Sequence, residues 1–234
     1  KTGDAADYQD QIRLGTGGGA FDLRGDIVVT QARTGAISGT DTSSNFTKLG
    51  AGTLRLTAEN TYSGQVSIEE GTVELGDGGT VTQEGVTTAL GGDLTKNIEV
   101  KSGAQLAVNF RDTYVLGDNG TTVASRVLTG AGDLVQRGTG RTEVNRVHTY
   151  TGSTSIEAGR LVLVDNGDLS ATSEVNTGTI AQHGTLAIEK SGEYQFTRRL
   201  SGQGIFEQAG TGTTTVTQDQ SGYRGITRVS QGTL

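Results

Sequence analysis

A long internal self-match is the feature that most constrains how this 234-residue chain can fold. Residues 50–75 read GAGTLRLTAENTYSGQVSIEEGTVEL, and residues 138–163, displaced by 88 positions, read GTGRTEVNRVHTYTGSTSIEAGRLVL. A third copy, GTGTTTVTQDQSGYRGITRVSQGTL, covers 210–234 with one inserted residue. Self-similarity of this kind is the sequence signature of stacked architectures, in which each unit buries its apolar face against the next.

The similarity extends upstream of these segments. Leu128-Thr129-Gly130 matches Leu200-Ser201-Gly202, and Ile37-Ser38-Gly39 is a third member of that set. We therefore interpret residues 1–234 as one structural unit made of three imperfect repeats, at approximately 18–102, 103–183 and 184–234. Because the last copy stops inside a repeat, we expect the chain to be a piece of a longer polypeptide.

Apolar residues alternate over three to five positions within each repeat, as at Leu54/Leu56 and Val66/Ile68. A period of two predicts short strands with one buried face, and glycine or polar runs separate them. The spacing predicts coils of roughly 20 residues and roughly 11 coils in total. The predicted fold is all-β, a right-handed parallel β-helix. Two sets of aliphatic residues should point inward at equivalent places in their coils: Leu56, Val144 and Val216, and Ile68, Ile156 and Val229.

The composition agrees with a stacked solenoid. Proline is absent and glycine accounts for 38 residues. In a solenoid nearly every N–H group is committed to a ladder, to which proline cannot donate, whereas glycine can adopt the positive φ of sharp corners. A hydrophobic content of 32% is low for a compact core and suits an elongated one. A globular β-sandwich would explain the alternation but not the self-match.

The first copy resembles a known repeat. Leu49-Gly50-Ala51-Gly52-Thr53-Leu54, Asn60-Thr61-Tyr62-Ser63-Gly64 and Ile68-Glu69-Glu70-Gly71-Thr72-Val73-Glu74-Leu75 are similar, in this order, to the autotransporter-associated β-strand repeat. It is also called the passenger-associated transport repeat. The copy at 138–163 departs from it, with His148 in place of Asn and Arg160-Leu161 in place of Gly-Thr-Leu. The resemblance implies a β-helical passenger, surface-exposed or secreted by a Gram-negative bacterium.

The residues that could carry chemistry are sparse. Acidic residues are scattered, and the densest groups are Glu69-Glu70 and Asp165/Asp168, which we interpret as solvated turn residues. His148 fills the slot of Asn60, and His183 precedes a corner glycine. No zinc or serine-protease motif is present. We therefore expect no catalytic residue, cofactor or metal site, and no enzymatic activity.

Two further features are candidate binding elements. Arg24-Gly25-Asp26, between two strand-like segments, is the triplet that integrins read, and we expect it to be exposed but dispensable for most cell binding. Tyr62, Tyr150 and Tyr223 recur in a Tyr-x-Gly corner. We expect each ring to pack beside the turn with its hydroxyl in solvent; a carbohydrate-stacking row is the alternative.

Net charge and hydropathy limit the classes of partner that the chain can be expected to bind. A formal charge of −7 argues against nucleic acid and anionic membrane surfaces, and no apolar run is long enough for direct membrane insertion. The leading hypothesis is an adhesin, in which polar faces bind a host cell-surface or matrix protein or glycan, or self-associate with another passenger. The second is a stalk that presents an N-terminal protease or effector head. The third is a polysaccharide-acting β-helix enzyme.

Overall fold

The described part of the chain is all-β. A computed structural model describes residues 12–39, 41–80, 97–117, 127–169 and 171–234 in full. For residues 6–7 it describes the backbone only. No residue in these ranges is helical. The strands are β1 (Ala6–Asp7), β2 (Ile12–Arg13), β3 (Gly19–Asp22), β4 (Val28–Gln31), β5 (Ile37–Gly39), β6 (Phe46–Leu49), β7 (Thr53–Leu56), β8 (Thr61–Tyr62), β9 (Val66–Ile68), β10 (Thr72–Leu75), β11 (Ile98–Val100), β12 (Gln105–Val108), β13 (Thr113–Leu116), β14 (Leu128–Gly130), β15 (Asp133–Gln136), β16 (Arg141–Val144), β17 (Thr154–Ile156), β18 (Arg160–Val164), β19 (Glu174–Asn176), β20 (Thr185–Glu189), β21 (Glu193–Phe196), β22 (Arg199–Ser201), β23 (Ile205–Gln208), β24 (Thr213–Val216) and β25 (Ile226–Val229).

These strands wind around three sides of a rod. Side I is one nine-stranded sheet in the order β1-β4-β7-β10-β12-β15-β17-β19-β22. Side II, the next step of each coil, is formed first by β2-β5-β8 and then by β13-β16-β18-β20-β23-β25. Side III, which closes the coil, is formed by β3-β6-β9-β11-β14 and then by β21-β24. Strands that are neighbours in a sheet therefore come from successive coils.

All strand pairs are parallel, as the repeats predicted. On side I, Leu54 pairs with Val73, 19 residues later, and Val73 pairs with Leu106, 33 residues later. The coils thus vary in length while the strands stay in register, because the extra residues lie between strands. The parallel β-helix is confirmed. Its right-handedness and the number of coils stay predictions.

The core is a thin column of inward side chains along the rod. Strand residues alternate between this column and the surface: in β7, for example, Leu54 and Leu56 are fully buried, whereas Thr53 and Arg55 are half-buried. The column is mainly aliphatic, with rings such as Phe46 and Tyr62 in contact at a centroid distance of 5.4 Å. No helix in the described ranges is long and apolar enough to cross a membrane.

The three sequence copies do not occupy equivalent sides, and here the prediction was wrong. The strand that ends at Leu56 lies on side I, the one that ends at Val144 on side II and the one that ends at Val216 on side III. The strands of Ile68, Ile156 and Val229 likewise lie on sides III, I and II. From one copy to the next, equivalent residues are therefore displaced along the rod by three coils and by one further side of the coil.

Inward orientation is confirmed for most of the aliphatic positions. Leu56, Val144, Ile68 and Ile156 are fully buried, and Val216 is half-buried against the core. Val229 is instead 52% exposed. It lies in β25, the last strand of its sheet, which has a neighbour on one side only.

Two hydrogen bonds between a side chain and the backbone recur in all three copies. In the first, an inward polar side chain donates to the carbonyl of the glycine two residues later, at 2.6, 2.7 and 2.8 Å; the pairs are Lys48–Gly50, Gln136–Gly138 and Gln208–Gly210. In the second, a corner side chain accepts the N–H of a strand in the preceding coil; the pairs are Asn60–Ile37, His148–Leu128 and Gln220–Leu200. Both satisfy backbone groups that would otherwise be buried without a partner.

Glycine is required where coils stack most closely. A Cβ at Gly138 would lie 2.1 Å from the carbonyl oxygen of Phe110 in the preceding coil. At Gly50 a Cβ would lie 2.4 Å from the oxygen of Leu23, and the backbone there has φ +74°. The two positions explain why the Gly-x-Gly segment is common to the copies.

Replacing Ile156 by Asp tests the side I core. Ile156 is fully buried, so a carboxylate there has no polar partner, and we expect the free energy of unfolding to fall by about 3 kcal/mol or more. Ser155→Asp is the matched control, since residue 155 of the same strand faces outward and is half-buried. Urea unfolding measures both. A loss in Ile156→Asp no larger than in Ser155→Asp would contradict the inward orientation.

Candidate binding groove

A polar hollow lies at the corner between sides II and III. It has a volume of about 750 Å³ and is formed where three successive coils turn after β16, β18 and β20. We call it the corner groove and define it by six residues: Val147, Asp165, Asn166, Lys190, Glu193 and Tyr194.

Lys190 ties two coils together at the groove. Its Nζ donates to the carbonyl oxygens of Asp165 at 2.6 Å and Gly167 at 2.7 Å, and lies 4.8 Å from the centroid of the Tyr194 ring. Burial lowers the pKa of Lys190, and Asp168 and Asp165 oppose this shift. The ammonium thus holds the turn at Asp165, whose φ of +46° is unusual for a residue other than glycine.

Asp168 fixes the wall of the groove. Its Oδ1 accepts hydrogen bonds from the Tyr194 hydroxyl at 2.7 Å, from Nη2 of Arg198 at 2.5 Å and from the N–H of Leu169 at 2.8 Å. Arg198 is buried, and its Nε donates to the carbonyl of Leu169 at 2.9 Å. Burial and the nearby Asp168 carboxylate raise the pKa of Tyr194 well above its ordinary value, so its hydroxyl stays protonated at neutral pH.

The remaining groove side chains face solvent. Asp165, Asn166 and Glu193 are exposed, and Val147 has 44% of its surface accessible. The groove therefore combines carboxylate, amide, ammonium, aromatic and aliphatic groups on rigid turns. These groups can hold a ligand by hydrogen bonds and by contact with apolar surface.

Several charged side chains on the sheet faces are instead paired with each other. On side I, Glu74 is buried and accepts from Arg55 Nε at 2.6 Å, Arg137 Nη1 at 2.7 Å and Asn109 Nδ2 at 3.1 Å. Burial alone would raise the pKa of Glu74, but these hydrogen bonds outweigh it and hold the pKa below its ordinary value. The group is thus committed to the protein.

A second network covers side II. Arg141 donates with both terminal nitrogens to Glu189, at 2.8 and 2.7 Å, and its Nε donates to Glu143. Arg160 pairs with Glu207 at 2.7 Å.

Small apolar residues at outward strand positions are also buried, although they lie outside the inward core: Ala107 and Val135 on side I, and Val162 and Ala187 on side II. The alternation had suggested that outward strand positions are polar, and these four residues show that some are apolar.

Arg24-Gly25-Asp26 lies at the corner between β3 and β4 and is exposed, as expected. Gly25 has φ +71°, and the guanidinium of Arg24 pairs with Asp22 at 2.9 Å. Arg24, Gly25 and Glu70 also line a smaller hollow, of about 390 Å³. The triplet is therefore accessible, with its arginine engaged by a neighbouring carboxylate.

The recurring tyrosines do not form a row. Tyr62 lies in β8 on side II, Tyr150 bonds to Leu128 of β14 on side III, and Tyr223 pairs with Gly202 at the end of β22 on side I. The expectation that their hydroxyls face solvent was wrong. Tyr150 is fully buried with its hydroxyl on Thr154. The Tyr223 hydroxyl donates to the carbonyl oxygen of Ile226 at 2.6 Å and lies 3.1 Å from that of Gly204.

Neither His148 nor His183 lines the corner groove. His148 is buried, its Nδ1 accepts the N–H of Leu128 at 3.0 Å, and its Nε2 lies 3.3 Å from the carbonyl oxygen of Leu116. His183 is an exposed corner residue with φ +46°. In the described ranges, no three side chains of His, Cys, Asp or Glu are grouped as a metal site would require.

Only part of the groove could be identified from the sequence. It singled out Asp165 and Asp168 as a dense acidic pair but interpreted them as ordinary turn residues, and it did not select Val147, Lys190, Glu193 or Tyr194. These residues are up to 47 positions apart in the chain, from Val147 to Tyr194. The three corners are brought together by the way in which coils of unequal length stack in register, and the sequence alone does not show this register.

With its three-sided parallel stack, the chain has the architecture of a β-helical solenoid. Comparison with protein families gives the class: the passenger-associated-transport-repeat matches residues 46–75, 127–163 and 206–234. The chain thus carries three such repeats, one in each of the three predicted ranges. The resemblance to an autotransporter passenger is confirmed, and with it the expected surface-exposed or secreted location in a Gram-negative bacterium.

A relative supports the same class. The chain is 34% identical over 154 residues to a protein of Brucella suis biovar 1 (strain 1330) named as the adhesin BmaC autotransporter. The match covers 60% of this chain and 4% of that protein. No solved structure matches the chain.

His148 makes a testable contribution to acid sensitivity. Burial lowers its pKa from the ordinary 6.5 to about 4, so the folded imidazole is neutral while it accepts from Leu128. Between pH 6.5 and pH 4 the unfolded chain takes up a proton that the folded chain refuses, and the free energy of unfolding falls as the pH is lowered. The loss should be on the order of 3 kcal/mol and end below about pH 4.

The variant His148→Asn isolates this contribution. Asparagine is the residue that the first copy has at the same slot, where Asn60 accepts the N–H of Ile37. We expect the variant to keep that type of hydrogen bond and to lose less stability than the unsubstituted chain between pH 7 and pH 4.5, in urea unfolding. Identical pH dependences in the two proteins would show that His148 is not the buried neutral acceptor described above.

Proposed function

We propose that this chain is an adhesive segment of its passenger and binds without catalysis. The partner is a molecule at a host cell surface or in its matrix, or a second passenger. The observation that carries the proposal is how the polar surface is divided. Several charged groups on sides I and II, among them Glu74, Arg141 and Arg160, are held in internal ion pairs, whereas the corner groove leaves carboxylate and amide groups exposed beside apolar surface.

The relative named as an adhesin supports this function. Since the chain spans only 4% of that protein, the match bears on the kind of surface rather than on a particular ligand. Adhesion through a rigid groove also agrees with general energetics, because a preorganised site costs little conformational entropy on binding.

The integrin triplet has a minor place in this proposal. Recognition of Arg24 would have to compete with its ion pair to Asp22 at 2.9 Å. Exposed pairs of this kind are weak, so the competition lowers affinity without abolishing it. We propose that Arg24-Gly25-Asp26 is dispensable for most attachment.

Beads coated with the chain test the adhesive role. We expect coated beads to bind host cells or matrix, or to clump with each other, and the double variant Asp165→Asn/Glu193→Gln to lose at least about 90% of this binding, because both exposed groove carboxylates are neutralised. The matched control is Glu69→Gln/Asp112→Asn, which changes the charge equally at exposed residues outside the groove. Asp26→Glu should leave binding unchanged. Thermal unfolding confirms that each variant is folded.

Two outcomes would contradict the proposal. Beads that neither clump nor bind, while beads with the full passenger do, would make this segment a stalk. Release of reducing ends from matrix polysaccharide by the chain, abolished by Asp165→Asn/Glu193→Gln, would make it an enzyme. Alanine at Arg55, Glu74 or Arg141 is unsuitable for this test, because each change would break an internal ion pair.

A further inference from the structure

We infer that the corner groove is a subsite for an uncharged glycan, with room for one or two hexose residues. The inference rests on the proposed binding function and names the chemical class of its ligand. Three properties of the groove support it: its inventory of polar groups, its net charge and its rigidity.

The polar groups match sugar hydroxyls. A hydroxyl both donates and accepts, so a sugar site needs acceptors and donors side by side. The exposed carboxylates of Asp165 and Glu193 accept, and the amide of Asn166 does both. Val147, 44% exposed, provides apolar surface for the C–H groups of a pyranose. The volume of about 750 Å³ is in the usual range for small-ligand sites.

The charge balance selects an uncharged sugar. Asp165 and Glu193 are exposed, and Asp168 is half-buried behind them. The cations nearby are already engaged: Lys190 donates to two backbone carbonyls, and buried Arg198 bonds to Asp168. The three carboxylates outnumber these two cations, so a sulfate, phosphate or uronate would meet a net negative charge at the groove, which makes anionic glycans poor ligands.

The groove is held open by its own contacts. Lys190 links the corner after β18 to the start of β21, and the Tyr194 hydroxyl is fixed by Asp168, which is fixed in turn by Arg198. A hexose would thus bind to groups already in place. Weak individual affinity is expected for a shallow site, and many passengers on one cell would add avidity.

Saturation-transfer difference NMR on the full 234-residue chain tests the inference. The neutral probes are lactose, maltose and cellobiose; the anionic probes are digalacturonate and a sulfated disaccharide. We expect saturation transfer to at least one neutral probe and to neither anionic one. The dissociation constant should rise about tenfold or more in Asp165→Asn/Glu193→Gln, since each variant weakens a charge-assisted hydrogen bond, and stay constant in Glu69→Gln/Asp112→Asn.

Binding of the anionic probes alone, binding of no probe, or equal binding by the groove variant would overturn the inference. The bead assay separates this failure from failure of the adhesive role. If the groove variant abolishes attachment but no disaccharide binds or competes, adhesion stands and the ligand is of another class, such as a basic peptide. If attachment itself is insensitive to the groove variant, both proposals fail.

Discussion

The hydrogen-bond ladder between successive coils is the constraint on which the rest of the structure depends. Each strand accepts from and donates to a neighbour contributed by another coil, so the strands must stay in register even though successive side I pairs are separated by 19 to 33 residues. Length differences are therefore absorbed at the corners. This explains why the turns and the groove lie at the corners.

The polar interior follows from the same constraint. Where a coil turns sharply, a carbonyl or N–H group leaves the ladder and needs another partner. Lys48, Gln136 and Gln208 supply it at the Gly-x-Gly corner, and Asn60, His148 and Gln220 at the corner after the next strand. The chemical class differs between copies, but the bond made is the same. Lys48 shows the cost: burial lowers the pKa of its ammonium to about 8, against the opposing influence of Glu70 and Asp22.

The fold could be predicted because its signals are local or periodic. Alternation at Leu54/Leu56 and the repeated Gly-x-Gly and Tyr-x-Gly corners identify strands and turns from neighbouring residues alone. The groove could not be predicted in this way, because Val147 and Tyr194 meet only after the coil lengths between them are known. Likewise, Glu74 resembles any outward glutamate in the sequence. Its partners come from other coils: Arg137, for example, follows β15 and lies 63 residues later in the chain.

The rotation of the repeats by one side per copy has a consequence for the surface of the molecule. Features shared by the copies lie along a screw about the rod axis, displaced by roughly 16 Å if coils stack at the usual interstrand spacing. A flat partner lying along one side would therefore meet each shared motif once, next to unrelated sequence. Duplication of a repeat would lengthen such a molecule without building a stripe of identical contacts. Each side can thus diverge separately, and three neighbouring partners could read three different patterns from one chain.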